Sequence, residues 1–380
     1  MRRPRLGPFA RAVLIVLAVL GAIVGAAFAL SADVRYLVRA ALAEAGILLR
    51  RRPIAEVVAD TTTDAGTRGK LTLVLAARAF AAESLRLAAS ETYTTYSPLD
   101  RDTLVLVLSA ARTDRLEQYE WRYPIVGRLP YKGFFSFDLA AREARKLERA
   151  GLDTYLRVAN AFSTLGWFED PLLSTIVAED SVDLAATVIH EILHNTLFVR
   201  GRADFNESMA SWVGYRGAEG FFLARGDSVN AGRAAARWRD HIRLSRFYGR
   251  LIRRLEQLYA SGAPVAELQR VRAEVYRLAA EQLAGAVGRQ LETVDGIRLA
   301  RMPLNNAVLL ARRLYVADLD RFDRMLEGGR DLRAAIAEIR DRAGSVEDPW
   351  TLLPPAPVIR TPRADDAMVP ADSLPALPLP

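Results

Sequence analysis

The stretch Thr187-Val188-Ile189-His190-Glu191-Ile192-Leu193-His194 constrains this chain more than any other. The chain has 3 histidines in 380 residues, and two of them, His190 and His194, stand four apart around a glutamate. Residues four apart share one face of a helix, so the two imidazoles can grip one metal ion. Glu191 lies off that line but borders it, where a carboxylate can act on a water at the metal. Val188, Ile189, Ile192 and Leu193 give the pair an apolar jacket, which predicts a buried helix. The alternative for such a pair is two histidines satisfied inside a helical core.

Two histidines do not complete a catalytic zinc site, which takes three protein ligands and leaves a fourth position for water. Glu207, in Asp204-Phe205-Asn206-Glu207-Ser208, is the expected third ligand. Asp204 suits a helix N-cap, and Gly201 suits the left-handed position that ends the helix before it. The expectation is therefore helix, short turn, helix, with Glu207 in the first turn of the second helix folded back onto the histidines.

These residues carry a resemblance. His190-Glu191-Ile192-Leu193-His194 together with Phe205-Asn206-Glu207-Ser208-Met209-Ala210 resembles a family of bacterial envelope proteins described as predicted zinc aminopeptidases, gluzincin-like, with two His ligands and one Glu. Phe162-Ser163-Thr164-Leu165-Gly166-Trp167-Phe168-Glu169-Asp170-Pro171-Leu172-Leu173, Tyr131-Lys132-Gly133-Phe134-Phe135 and Leu304-Asn305-Asn306-Ala307 are similar to further signatures of that family. The resemblance runs from about residue 35 to about residue 340. It implies an α+β fold: a zincin-like metallopeptidase core with a small sheet and the His190–His194 helix, followed by a mainly helical C-terminal bundle. It also implies a lipid-modified N-terminal cysteine and a cysteine pair in a hairpin, at positions matching Arg122 and Arg128. This chain has no cysteine, which excludes both devices and any thiolate metal site.

A hydrophobic fraction of 51% is ample for a core. The formal net charge is +7, and only Lys70, Lys132 and Lys146 of the 52 cationic residues are lysines. The arginines alternate with acids, as in Arg142-Glu143-Ala144-Arg145 and Glu338-Ile339-Arg340-Asp341-Arg342. That pattern reads as a solvated helix surface. No Arg cluster interleaves with aromatics on a strand pattern, so no nucleic-acid partner is expected.

Residues 1–11, with Arg2, Arg3, Arg5 and Arg11, precede an uncharged run from Ala12 to Leu30. That run is long enough to cross a bilayer as a helix, with its positive flank in the cytoplasm. Residues 12–30 are read as a transmembrane anchor in a bacterial inner membrane, with the catalytic region in the periplasm. A cleaved signal segment ending near Ala27-Phe28-Ala29 is the competitor, disfavoured because its apolar region would be shorter. Residues 33–345 are read as one metallopeptidase domain. Residues 346–380 are read as a disordered tail, because from Pro349 there are nine prolines.

Within the domain, Val34–Asp60 is helical with a break at Pro53, and Leu71–Leu87 forms a second helix. Thr92–Pro98 is a loop whose Tyr93 and Tyr96 either reach a substrate cleft or lie on the surface. Thr103–Leu108 and Thr154–Val158 read as strands, and Leu139–Ala150 as an amphipathic helix closed by Gly151. Trp121–Pro124 and Tyr131–Ser136 read as a hairpin. Ser163–Asp170 is the expected rim of a substrate-binding strand edge, where Gly166 permits close backbone approach. Helices are expected at Ala234–Ala260, Pro264–Ala286 and Ala307–Arg342.

The expected chemistry is metal-assisted peptide hydrolysis with one Zn²⁺ per chain. His190, His194 and Glu207 hold the ion. Glu191 is the general base that takes the proton of the metal-activated water and returns it to the departing amine. Tyr215, Tyr131 and His241 are candidates for stabilising the oxyanion, each with a merely packed or surface role as the alternative. Ser211 stands one turn past Glu207, where thermolysin-like enzymes place an acidic partner for a histidine, so another group must orient the ring. Glu169 and Asp170 are candidates for capturing a free amino group. Two other readings remain open: a non-catalytic envelope scaffold with a structural or vestigial metal site, and an endopeptidase.

Overall fold

A computed structural model of the chain describes Gly7 and residues 45–99, 105–123, 127–134, 136–159, 171–313 and 318–355. Residues 1–51 and 52–380 form separate compact units. In the first, residues 45–50 are helical. The expected membrane segment, residues 12–30, lies outside the described residues. Among the described residues no helix is long and apolar enough to cross a membrane.

The second unit is α+β, mostly helical with small sheets. Short strands β1 (Arg52–Pro53) and β2 (Thr95–Ser97) join β8 (Leu172–Leu173) in the order β1-β2-β8. The larger sheet has the order β6-β3-β7, all antiparallel, from β3 (Val105–Arg112), β6 (Tyr131–Phe134) and β7 (Leu152–Ala159). Register pairs Leu108 with Lys132 on one side and Leu156 on the other. The amphipathic helix α3 (Phe137–Arg149) packs on this sheet and ends where Gly151 turns with φ +80, as the sequence predicts.

The expected hairpin needs correction. β4 (Trp121–Tyr123) pairs with β5 (Gly127–Leu129), while Tyr131–Phe134 crosses to the other sheet. Arg122 and Arg128 are direct cross-strand partners in this short hairpin. The positions that the resemblance assigns to a cysteine pair therefore do face each other.

Helix α1 (Ile54–Ala59) follows β1 directly, and α2 (Ala65–Glu83) starts earlier than expected because Asp64 accepts from the Thr67 amide as its N-cap. Tyr93, a candidate cleft residue, is buried in the core with φ 55. Tyr96 packs on the core from β2. A short α4 (Ser174–Val177) leads into α5 (Ser181–Thr196) and α6 (Ala203–Ala224).

From Ala203 onward every described element is helical. α7 (Ser228–Ala260) and α8 (Val265–Ala284) are separated by Gly262 at φ +70. The single helix expected over Ala307–Arg342 is broken into shorter helices. After α9 (Gly296–Ala300) come α10 (Asn306–Arg313), α11 (Leu319–Asp323) and α12 (Leu332–Ala343). Gly328 and Gly329, at φ +78 and +82, interrupt the pattern.

Two apolar cores result. The first gathers α2, α5, α6, the start of α7, α11 and α12, and the second gathers the end of α7 with α8 and Leu309 of α10. In the first, the Asp323 carboxylate accepts from the indoles of Trp212 (3.3 Å) and Trp238 (2.8 Å) and from the Arg216 guanidinium. One charged group thereby locks α6, α7 and α11 together, and its acceptor oxygens are satisfied in a part-buried setting.

The tail expectation also needs correction. Pro349–Leu352 form a 3-10 turn, Leu352 and Leu353 are buried, and Trp350 packs edge-to-face on Phe205 at 5.3 Å. Apolar burial outweighs the proline content here. Residues 356–380 lie outside the described residues.

Candidate metal centre

Helix α5 begins at Asp180, whose carboxylate accepts from the amides of Val182 and Asp183, while the Arg237 guanidinium binds the same carboxylate from α7. Its apolar residues Val182, Ala185, Val188, Ile189, Ile192 and Leu193 are buried on more than one side, because α2, α6 and α7 surround it. The helix ends at Thr196 rather than near Gly201, because Leu197 turns into extended backbone. Asp204 lies inside α6, whose N-cap position is Arg202 and has no side-chain cap.

The Asn206 side chain supplies what a cap would. Its amide oxygen accepts from the Val199 N–H (2.9 Å) and its amide NH₂ donates to the Val199 carbonyl (2.8 Å). One buried side chain therefore fixes the connecting turn and the start of α6 together. Sequence reasoning missed this role. The signal was an amide residue directly beside the expected ligand Glu207.

Helices α5 and α6 run antiparallel in close contact. Glu207 meets His190 and His194, while Gly214 meets Ala186 and His190, and Tyr215 meets Asp183 further back. A Cβ on Gly217 would lie 3.0 Å from Ile189. The two glycines therefore allow the approach that brings Glu207 to the histidines.

The result is a triangle of ligand atoms. Nε2 of His190 and Nε2 of His194 are 3.2 Å apart. The Glu207 carboxylate lies 3.4 Å from the first and 3.7 Å from the second. Four ligands placed tetrahedrally at about 2.0–2.1 Å from zinc have edges of about 3.3 Å. The residues present thus fit one face of such a site. The three side chains are 17%, 20% and 26% exposed, so solvent reaches the triangle. Among the described residues no other group of His, Cys, Asp and Glu has this arrangement.

The electrostatics agree with a ligand set. Burial pulls His194 down to about 4, helped by the neighbouring His190, so its imidazole is neutral near pH 7. Burial opposes protonation of His190 too, but the hydrogen bond to Glu207 and the charges of Glu191 and Glu207 raise it overall. Burial works to raise Glu207, yet the His190 hydrogen bond and both imidazoles lower it. Glu207 is therefore held as a carboxylate. Nδ1 of His194 is buried with no hydrogen-bond partner. Ser211, expected to be too weak a partner for a histidine, is buried on α6.

The Tyr215 hydroxyl donates to Asp183 (3.2 Å), and burial next to that carboxylate raises its pKa. Two turns beyond Glu207 on one helix correspond to two turns before His190 on its antiparallel neighbour, so the Tyr215 hydroxyl meets Asp183 there. His241 packs against Tyr215 at 4.7 Å and stacks on Trp238 at 6.3 Å. Tyr131 stands on β6 opposite Ser109 and is exposed. Gly166, Glu169 and Asp170, with the whole expected rim, lie outside the described residues. Glu191 follows His190 on α5 and is partly exposed.

Residues 35–347 match the sequence model of a family described as "Putative aminopeptidase". The chain belongs to this family. Its membership supports peptidase activity on a peptide substrate, and the His190, His194 and Glu207 cluster lies within the matched span. Neither the curated proteins nor the solved structures contain a significant match to the chain.

Proposed function

We propose that this aminopeptidase-family chain is a zinc peptidase of the gluzincin kind, with a zincin-like core. In this reading residues 12–30 anchor it in a bacterial inner membrane and residues 33–345 act in the periplasm. The observation that carries the reading is the triangle of His190, His194 and Glu207, whose edges of 3.2, 3.4 and 3.7 Å suit a tetrahedral ion.

When bound, zinc would supply Lewis acidity, polarising the scissile carbonyl and lowering the pKa of a water toward about 7. The chain's own groups do the rest. The two Nε2 atoms and the Glu207 carboxylate hold the ion, and Asn206 keeps Glu207's helical turn in place. Glu191 accepts the proton of the attacking water on its carboxylate and returns it to the departing amine. The triangle is reached by solvent and has three protein ligands, which favours a catalytic site over a closed structural one. Aminopeptidase specificity rests on the family. Glu169 and Asp170 are the residues proposed to capture the free amino group.

Metal analysis of the purified chain, with and without Glu191→Gln, tests this reading. The expected result is about one zinc per chain in both proteins and a loss of peptide turnover of at least about 100-fold in the variant. Equal turnover in the two, or a wild-type chain without zinc, would favour the scaffold. Cleavage of peptides with blocked amino termini would make the enzyme an endopeptidase.

A further inference from the structure

Immediately after the candidate metal-binding helix, the chain turns to extended backbone at Leu197. Leu197 and Val199 pack on the first core, and the side chain between them is turned the other way. That side chain is Phe198, and it is 64% exposed. Its ring stands edge-to-face to the His194 imidazole, with centroids 6.5 Å apart and planes at 73°. Among the described residues, no other large exposed apolar side chain has a ring contact with a candidate ligand.

Single exposed apolar residues are ordinary on protein surfaces. Phe198 differs in being held. Both backbone polar groups of Val199 are bound by Asn206, one residue before Glu207. The Asn195 side chain donates to Thr92 (2.7 Å), and Thr196 accepts from the Ala88 amide (2.8 Å), so the end of α5 is pinned on its other side as well. A rigid aromatic at the rim of a solvent-reached metal triangle has the form of a binding wall rather than a loose surface side chain.

We propose that Phe198 is a specificity-determining residue: its ring forms the apolar wall of the subsite for the substrate side chain beside the scissile bond. The favoured peptides carry a large aliphatic or aromatic residue there. An apolar side chain laid on this ring leaves water, and an aromatic one adds edge-to-face contact. This inference rests on the peptidase reading above.

The test uses the zinc-loaded full chain in detergent and a defined peptide library with free and blocked amino termini, its products read by mass spectrometry. Wild type is expected to cleave beside Leu or Phe in preference to Ala. Phe198→Ala should reduce that preference about tenfold at unchanged zinc content, while Phe198→Tyr keeps it. Zinc content separates a lost wall from a lost fold. Cleavage with no preference for large apolar residues, or a preference unaltered in Phe198→Ala, would overturn the proposal while leaving the peptidase reading intact. Absence of any cleavage by the wild type would overturn both.

Discussion

A side-chain carbon on Gly214 would lie 2.8 Å from the carbonyl oxygen of Ala186 and 3.3 Å from Cβ of His190. The first distance is closer than carbon and oxygen tolerate, and backbone on a buried helix cannot step aside cheaply. Gly214→Ala must therefore push α6 away from α5. Overpacking of this kind destabilises by about 1–3 kcal/mol. Because Glu207 rides on α6, the variant should also bind zinc at least about tenfold more weakly, as supporting residues of metal sites do. Thermal unfolding and competition with a chromogenic chelator measure the two effects. Unchanged zinc affinity would show that the glycine is a packing residue only.

Removing the Asn206 side chain leaves the Val199 N–H and carbonyl without partners in a part-buried turn. Asn206→Ala is expected to cost about 1–3 kcal/mol in denaturant unfolding and to speed exchange of the Val199 amide. Asn206→Asp keeps the acceptor and loses the donor, so it should fall between the two. An Asn206→Ala protein as stable as wild type would refute the clamp.

Loss of a ligand should exceed any of these effects. Glu207→Ala removes one corner of the triangle and leaves two imidazoles, which is expected to weaken zinc binding by more than about 100-fold, beyond what a supporting residue achieves. Isothermal titration of the metal-free protein with zinc checks this. Full retention of affinity would mean that the third ligand is another group.

His241 sets a pH dependence of stability. Burial holds it down to about 4, while Asp240 opposes the shift and Arg237 and His190 add to it. In the unfolded chain a histidine takes its proton below about 6.5. The stabilising effect of keeping His241 neutral is therefore complete above that value and is lost as pH falls from about 6.5 toward the folded value of about 4. Between pH 7 and pH 5 this amounts to about 2 kcal/mol. His241→Phe should flatten the curve by that amount in denaturant titrations of the metal-free protein.

Trp350 joins an aromatic cluster with Phe205 at 5.3 Å and Phe322 at 5.7 Å. Phe205 is two residues before Glu207, so this segment supports the site from behind. Trp350→Ala is expected to cost about 2–3 kcal/mol in thermal or denaturant unfolding. A variant as stable as wild type would place the segment outside the core.

Much of the candidate metal site was legible because it is local. Spacing on one helix puts His190 and His194 together whatever surrounds them, and the helix-turn-helix needs only the short connection from Thr196 to Ala203 to return Glu207. Gly151 and Gly262 likewise mark helix ends through backbone freedom that belongs to the residue itself. Non-local pairing was not legible. Nothing in Tyr131–Phe134 says that it leaves its neighbour β5 for β3, because strand partners are chosen by packing with distant chain. The proline-rich end showed no sign that Trp350, Leu352 and Leu353 would find an apolar groove.

By itself, then, the amino-acid order determined the candidate ligands, the shared face of the two histidines and the helical character of the described elements after Ala203. The three-dimensional packing decided which polar groups serve the site. It turned Tyr215 toward Asp183, gave Asn206 the connecting turn and left Phe198 beside His194. Those assignments depend on two antiparallel helices touching at Gly214, and the direction in which one helix lies on another is a property of the assembled core.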